Sequence, residues 1–314
     1  MEKPSIIFMG TAEFAVPSLK ILIDSGFDIK AVVTATDKPA GRGKHIQFSD
    51  VKKFALEQNL NIMQPEKLKD SNFLNELKIL NADLFVVVAF RMLSKDIWTL
   101  PKLGTINLHA ALLPNYRGAA PINHAIINGE TKTGVTTFFI DEQIDTGNII
   151  LQHECEILPE DNIGTLYDKL QIFGANLVLE TVNLIADGNI KPRPQPTISD
   201  NLLKHAPKIT KEFCQINWND NVVNIHNLIR GLSPYPCAFS NIDENNIIKF
   251  FKTSYTIENH DFNCGDIITD NKKYLKIAAK DGFLNVEELQ ISGKKCMDIR
   301  SFLAGNKIGD SFSF

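Results

Sequence analysis

Cysteine is sparse in this chain. Cys155, Cys214, Cys237, Cys264 and Cys296 are odd in number, widely spaced and without a C-x-x-C pair, which argues against a disulfide framework and a cysteine zinc site. A reducing compartment, the cytoplasm, is expected. No apolar run is long enough to span a bilayer, and the opening Met-Glu-Lys-Pro leads into an apolar strand too short for a secretory signal, so no membrane role is expected. Excess charge is missing too. With 33 Lys and Arg against 37 Asp and Glu the net charge is −4, which excludes a surface built throughout for nucleic acid and leaves room only for a local basic patch. The seven histidines form no H-E-x-x-H motif or His/Cys cluster, so no metal is expected. The absence of G-x-S-x-G removes one common covalent nucleophile. No sequence feature indicates an obligate protein partner.

What is present is ordinary globular composition, 44% apolar and 22% charged over 314 residues, enough for two domains that each bury a core. The first half alternates strand-like and helix-like segments. Ser5-Ile-Ile-Phe-Met9 is an apolar run ending at Gly10, and a helix over 14–25 is expected after it. Lys30-Ala-Val-Val-Thr-Ala35 and Leu84-Phe-Val-Val-Val-Ala89 read as further strands, the latter buried on both faces. Ser49 and Ser71 precede helical patterns near 50–58 and 72–80, where caps belong. A strand through Asn107, a helix from Pro121, strands over 134–140 and 148–156 and a long helix over 163–186 complete the pattern. The expected fold class is α/β, a doubly wound, Rossmann-like, mostly parallel sheet. Gly10-Thr-Ala-Glu-Phe14 stands where a dinucleotide fold carries its phosphate loop, but it lacks the G-x-G-x-x-G spacing. It reads equally as a tight strand-to-helix turn.

Alternating prolines in Lys191-Pro-Arg-Pro-Gln-Pro196 hold the chain extended and mark a connector. The expected division is a domain over 1–190, a linker over 191–207 and a second domain over 208–314. That second domain offers one helix near 222–232 and short strand-like runs at 247–251, 275–279 and 284–289 between Asp, Asn and Gly turns. The pattern suggests a small, OB-like β-barrel.

The densest signal lies in Thr105-Ile-Asn-Leu-His-Ala-Ala-Leu-Leu-Pro114, followed by Tyr116-Arg-Gly-Ala-Ala-Pro121. On a strand, Asn107 and His109 point to one face. An amide that can donate to an oxyanion and an imidazole that can move a proton therefore converge where an α/β sheet binds ligands. A second candidate is Thr34-Ala-Thr-Asp-Lys-Pro-Ala-Gly-Arg-Gly-Lys-His45, whose Gly41 and Gly43 flank Arg42. Lys38, Arg42, Lys44 and His45 make this loop basic, which suits phosphate contact.

The run from Gly104 to Ile122, with Asp145-Thr-Gly147 downstream, resembles the signature of folate-dependent formyltransferases. Ala111 stands where that family carries Ser before Leu-Leu-Pro, and Phe90-Arg91 where many members carry Tyr-Gly. With Lys208-Ile-Thr-Lys-Glu212, Ile216-Asn-Trp218 and Ser233-Pro-Tyr-Pro236, the whole layout is similar to the branch that formylates methionyl initiator tRNA. The resemblance implies transfer of a formyl group from 10-formyltetrahydrofolate to the α-amino group of the charged tRNA, with Asn107, His109 and Asp145 catalytic. It implies folate against Ala111, Leu112, Leu113 and Pro114, and RNA contact by Arg42 and Lys44. It also assigns the second domain to tRNA, although that domain carries about equal numbers of acidic and basic residues.

Overall fold

The computed structural model describes residues 3–40, 45–199, 201–241 and 247–306. Two compact units emerge. One takes Met1–Gly118, Thr133–Cys155 and Tyr167–His205, and the other Ala119–Lys132, Glu156–Leu166 and Ala206–Phe314.

In chain order the elements begin with β1 (Ile6–Gly10), α1 (Val16–Asp24), β2 (Ile29–Val33), β3 (Lys38–Ala40), β4 (His45–Gln47), α2 (Asp50–Glu57) and β5 (Ile62–Met63). Next come α3 (Ser71–Leu80), β6 (Leu84–Val88), α4 (Lys95–Trp98), β7 (Thr105–His109), β8 (Arg117–Gly118), α5 (Pro121–Ile127), β9 (Lys132–Phe139), β10 (Ile149–Glu156) and α6 (Ile163–Ala186). Seven strands form one sheet in the order β10-β9-β7-β6-β1-β2-β5. The pairs from β7 through β5 are parallel and β9 runs antiparallel to β7. The fold is α/β with a mostly parallel central sheet, as the alternating segments predict. β1 and β6 are buried along their full length, the mark of central strands covered on both sides.

Side-chain alternation assigns the two faces. Ile7, Met9, Val33, Phe85 and Val87 form one core cluster with Phe73 and Leu77 of α3 and Ile97 of α4. Asn107 pairs with Val87 in register and so belongs to that face. Leu108, on the opposite face, pairs with Thr137, whose hydroxyl lies 2.7 Å from that of Thr181 on α6. Helices therefore cover both sides. The chain order reverses between β1 and β6, and His109 ends the strand beside β6. That reversal is where an open α/β sheet leaves a crevice beyond its carboxyl ends.

Local details sharpen the sequence reading. Ser49 caps α2 as expected, accepting from Lys52 N at 3.1 Å. For α3 the cap is Asp70, accepting from Asn72 N and Phe73 N at 2.9 and 3.1 Å, and Ser71 is the first helical residue. A carboxylate satisfies the same orphan N–H groups and also favours the positive end of the helix dipole. Gly10 is steric in origin, since a Cβ there would lie 2.8 Å from that of Ala15. The close strand-to-helix approach accounts for the glycine without a phosphate.

After β11 (His205–Ala206), where the chain passes from one unit to the other, the second unit holds α7 (Val222–Leu232), then β12 (Ala238–Asn241), β13 (Ile247–Ile257), β14 (Ile267–Thr269), β15 (Leu275–Ala279), β16 (Gly282–Ile291), β17 (Met297–Asp298) and α8 (Ile299–Gly305). Its sheet is antiparallel in the order β12-β13-β16-β15-β14, with β17 on β16. Among the described residues that path has two ends. Val222, Ile225, Ile229 and Leu232 of α7 meet Trp218, Phe250, Leu284 and Phe302 in the core. The spacing of the four α7 residues is that of one helix face.

On α7, His226 is half-buried, with Nδ1 2.9 Å from Thr253 Oγ1. Burial, and secondarily the Arg230 guanidinium, push its imidazole down to about 4. An unfolded-state histidine titrates near 6.5, so between about pH 6.5 and 4 the unfolded chain binds more protons than the folded one. His226 therefore contributes stability that is complete above this window and is lost as pH falls through it. Allowing for screening of a half-buried ring, the effect is at most about 3 kcal/mol. Denaturant unfolding of wild type and His226→Gln at neutral and mildly acidic pH should show a shallower acid loss in the variant. Parallel pH curves would refute the assignment.

Candidate active site

β7 carries Asn107 at its middle and His109 at its carboxyl end, on one face. Asn107 is half-buried and His109 is 6% exposed. Among the described residues, no protein group is hydrogen-bonded to the Asn107 side chain. The imidazole of His109 is held by a hydrogen bond at one nitrogen. Nε2 lies 2.8 Å from the Tyr116 carbonyl oxygen, and a carbonyl can only accept, so Nε2 carries a proton. In the neutral ring Nδ1 is then the unprotonated nitrogen. It faces Asp145 Oδ2 at 3.6 Å, beyond a direct hydrogen bond, and the two form an ion pair only once Nδ1 has taken up a proton. The same carboxylate oxygen accepts from Gly118 N at 3.0 Å.

Asp145 reaches this place on the loop between β9 and β10, with φ of +55°, a left-handed conformation that Asp tolerates better than most side chains. Gly147, two residues on, has no room for a Cβ, which would stand 1.6 Å from Phe139 O. The Asp-Thr-Gly triplet is therefore a folding signal as well as the carrier of a carboxylate.

The segment after His109 is pinned to its neighbour strand. Thr136, opposite His109 in register, donates its hydroxyl to Ala111 O at 2.6 Å and accepts from Leu113 N at 3.2 Å. Gln152 on β10 donates from Nε2 to Leu113 O at 2.9 Å and to Thr136 Oγ1 at 3.1 Å. The hydroxyl thus uses its one hydrogen and both lone pairs. Ala111, Leu113 and Pro114 are buried and Leu112 is half-buried. Leu113 packs with Phe138 and Ile149, so its side chain belongs to the core, and of the two leucines it is Leu112 that offers apolar surface. Thr136 and Gln152 gave no signal in the sequence, being a common strand threonine and glutamine. Arg91 donates to Glu66 O at 3.1 Å and to Pro65 O at 2.9 Å, tying the end of β6 to the segment after β5.

Arg42 and Lys44 lie outside the described residues. Their flanks are ordered by a short antiparallel pair, Lys38 with Gln47 and Pro39 with Ile46, in what reads from sequence as a loop. Lys52 Nζ contacts Asp37 Oδ2 at 2.6 Å and Gln64 Oε1 at 2.8 Å, and stands 4.1 Å from the Phe48 ring centre. The bonds from Lys52 and Gln64 hold the Asp37 carboxyl below the ordinary carboxylate range. Elsewhere in this unit, a cavity of about 810 Å3 is lined by Asn61, Gln64, Glu66, Asp70 and Phe73 among others. It contains none of Asn107, His109 and Asp145, and among the described residues no group of three His, Cys, Asp or Glu side chains is arranged to hold a metal ion.

Comparison with known proteins shows the family. Residues 3–182 match the formyl transferase family and residues 208–307 its C-terminal domain. The methionyl-tRNA formyltransferase of Flavobacterium johnsoniae is 51% identical over 313 residues, covering 99% of this chain and 98% of its own. That of Bacteroides thetaiotaomicron is 48% identical over 312 residues, covering 98% and 97%. In fold the chain is similar to WlaRD, a sugar 3N-formyl transferase solved in the presence of dTDP and 5-N-formyl-THF. The TM-score is 0.66 over 94% of this chain and 100% of that one, at 24% identity.

Proposed function

The chain belongs to the formyl transferase family, in its methionyl-tRNA formyltransferase branch, and on that premise we propose how its residues carry out the reaction. It transfers the formyl group of 10-formyltetrahydrofolate to the α-amino group of methionyl initiator tRNA, the step that prepares this tRNA for translation initiation. A bond forms between the amine nitrogen and the formyl carbon, and the bond from that carbon to folate nitrogen breaks. Asn107 donates its amide N–H to the formyl oxygen as negative charge builds there. His109 takes the amine proton at Nδ1 and returns it to the departing nitrogen. Asp145 stabilises the imidazolium formed between those two events, the role a carboxylate plays beside a catalytic histidine elsewhere. The observation that carries this assignment is the fixed imidazole, Nε2 committed to Tyr116 O at 2.8 Å and Nδ1 turned toward Asp145.

The folate lies along the segment Ala111, Leu112, Leu113 and Pro114, with Leu112 supplying the apolar side-chain contact because the other three side chains are buried. Support comes from a half-buried Leu112 on a backbone that Thr136 and Gln152 hold in place, a shape ready before the ligand arrives. We assign residues 1–190 to catalysis, 191–207 to the connector and 208–314 to holding the tRNA. The second unit's antiparallel sheet reads as a small OB-like barrel, since β13 and β16 are long and their pairing is shifted near Phe250 and Lys252, as in strands that coil toward closure. A charged tRNA as substrate and five free thiols fit a cytoplasmic enzyme.

The test is formyl transfer from 10-formyltetrahydrofolate to methionyl initiator tRNA, beside uncharged tRNA and free methionine. Transfer to the charged tRNA alone is expected. Folate binding without transfer to tRNA would move the acceptor to a small amine. Arg42 and Lys44 we assign to the RNA, because basic groups set between glycines suit phosphate or base contact. Arg42→Ala should raise KM for the tRNA roughly 10-fold, the size of one charge-assisted contact, with KM for folate unchanged. Equal loss of both affinities would refute the assignment.

A further inference from the structure

We propose that Gln195, in the proline-rich connector, is a positioning residue for formyl transfer that holds the Asp145 loop in place beside His109. The proposal rests on the role given to Asp145 above. Within residues 191–197 every side chain is exposed except Gln195, which is half-buried. Pro192, Pro194 and Pro196 keep the segment extended, and in an extended chain residues two apart share a face. Arg193 and Gln195 therefore point the same way. The segment lies against β10 through reciprocal bonds between Ile149 and Arg193 of 2.8 and 2.9 Å.

Both side chains act on the site's supports. Arg193 donates from Nη2 to Gln152 Oε1 at 2.8 Å, the glutamine whose amide holds Leu113 O. Gln195 donates from Nε2 to Asp145 O at 2.8 Å and to Gly147 O at 2.9 Å. Its Oε1 accepts from Arg117 Nη2 at 2.6 Å and Nε at 3.2 Å. Both amide hydrogens and both carbonyl lone pairs are thus committed. They join the Asp145 loop to the residue just before Gly118, whose N–H meets the Asp145 carboxylate. A left-handed non-glycine residue persists only when its surroundings hold it, and Gln195 provides two of the bonds that do so. Connector and active site are in this way one structure.

Gln195→Leu keeps the size and removes all four bonds. With Asp145 less well held, kcat should fall on the order of 10- to 100-fold, while KM for either substrate changes less than about twofold. In an Asp145→Asn background the same substitution should cost less than about twofold, because residues that act through one another are not additive. Melting temperature checks that each variant is folded, and Gln195→Ser carries the same predictions should the leucine variant not fold. An equal fractional loss in both backgrounds, or a loss confined to KM, would overturn the proposal. A large effect of Asp145→Asn with none of Gln195→Leu would overturn the brace alone. No effect of Asp145→Asn would remove the premise and the brace together.

Discussion

His109→Ala should lower kcat for formyl transfer by roughly 10²- to 10⁴-fold, the usual worth of a positioned general base. Binding of folate should change little, because the ring is committed to Tyr116 and Asp145 within the protein. The Nε2 hydrogen bond decides the chemistry. It leaves Nδ1 as the one nitrogen able to accept a proton, and that nitrogen faces a carboxylate across 3.6 Å. Wild-type kcat should therefore fall on the acid side as Nδ1 becomes protonated before the amine attacks. In the alanine variant this limb should disappear, leaving a slow rate that follows only the ionisation of the substrate amine. The measurement is kcat across about pH 5 to 9 with saturating folate and tRNA. A variant that keeps the limb, or loses less than about tenfold in rate, would assign the proton transfer elsewhere. Asp145→Asn should lie between the two, slower than wild type and faster than the alanine variant.

The part of this site that lies on a single strand was legible in the sequence. Period-two alternation places Asn107 and His109 on one face whatever the rest of the chain does, and buried runs such as Leu84-Phe-Val-Val-Val88 declare a central strand. Asp145 could be singled out only through family resemblance, since an Asp before Thr-Gly also reads as a turn former. Its distance from His109 depends on β9 pairing beside β7, which is tertiary. Thr136, Gln152 and Gln195 escaped notice because their importance lies in whose carbonyl they reach. Gln195 did leave one trace, a polar side chain set between prolines that prevent the segment from coiling. Ser71 was displaced as a cap by a neighbour that performs the same task. The hairpin at Lys38 and Gln47 was hidden because its strands are too short for a periodic pattern. In the second unit the four apolar core positions of α7, Val222, Ile225, Ile229 and Leu232, follow from spacing alone. The inclusion of Ala119–Lys132 and Glu156–Leu166 in that unit depends on contacts between residues far apart in sequence, and no composition shift marks those segments.

Asn107→Ala should cost about 10²- to 10³-fold in kcat, the typical worth of one donor to a developing oxyanion. Its signature should differ from that of His109. The amide does not titrate, so the rate should fall by the same factor at every pH and the acid limb should survive. Asn107→Asp sharpens the test, because a carboxylate of nearly the same shape is acceptor-only when ionised. It should be at least as slow as the alanine variant at neutral pH, and should recover in part on acidification as the carboxyl regains a proton to donate. That recovery would run against the direction in which His109 protonation lowers the rate, so the Asp variant should show its optimum displaced to lower pH. A role in ground-state binding predicts a different outcome, a raised KM for folate with kcat preserved. The backbone arrangement favours the first result. Asn107 sits in the middle of β7, paired in register with Val87 and Phe138, and a side chain anchored between two buried strands is already aimed when charge begins to develop. That preorganisation is the condition under which one amide acts mainly on the transition state.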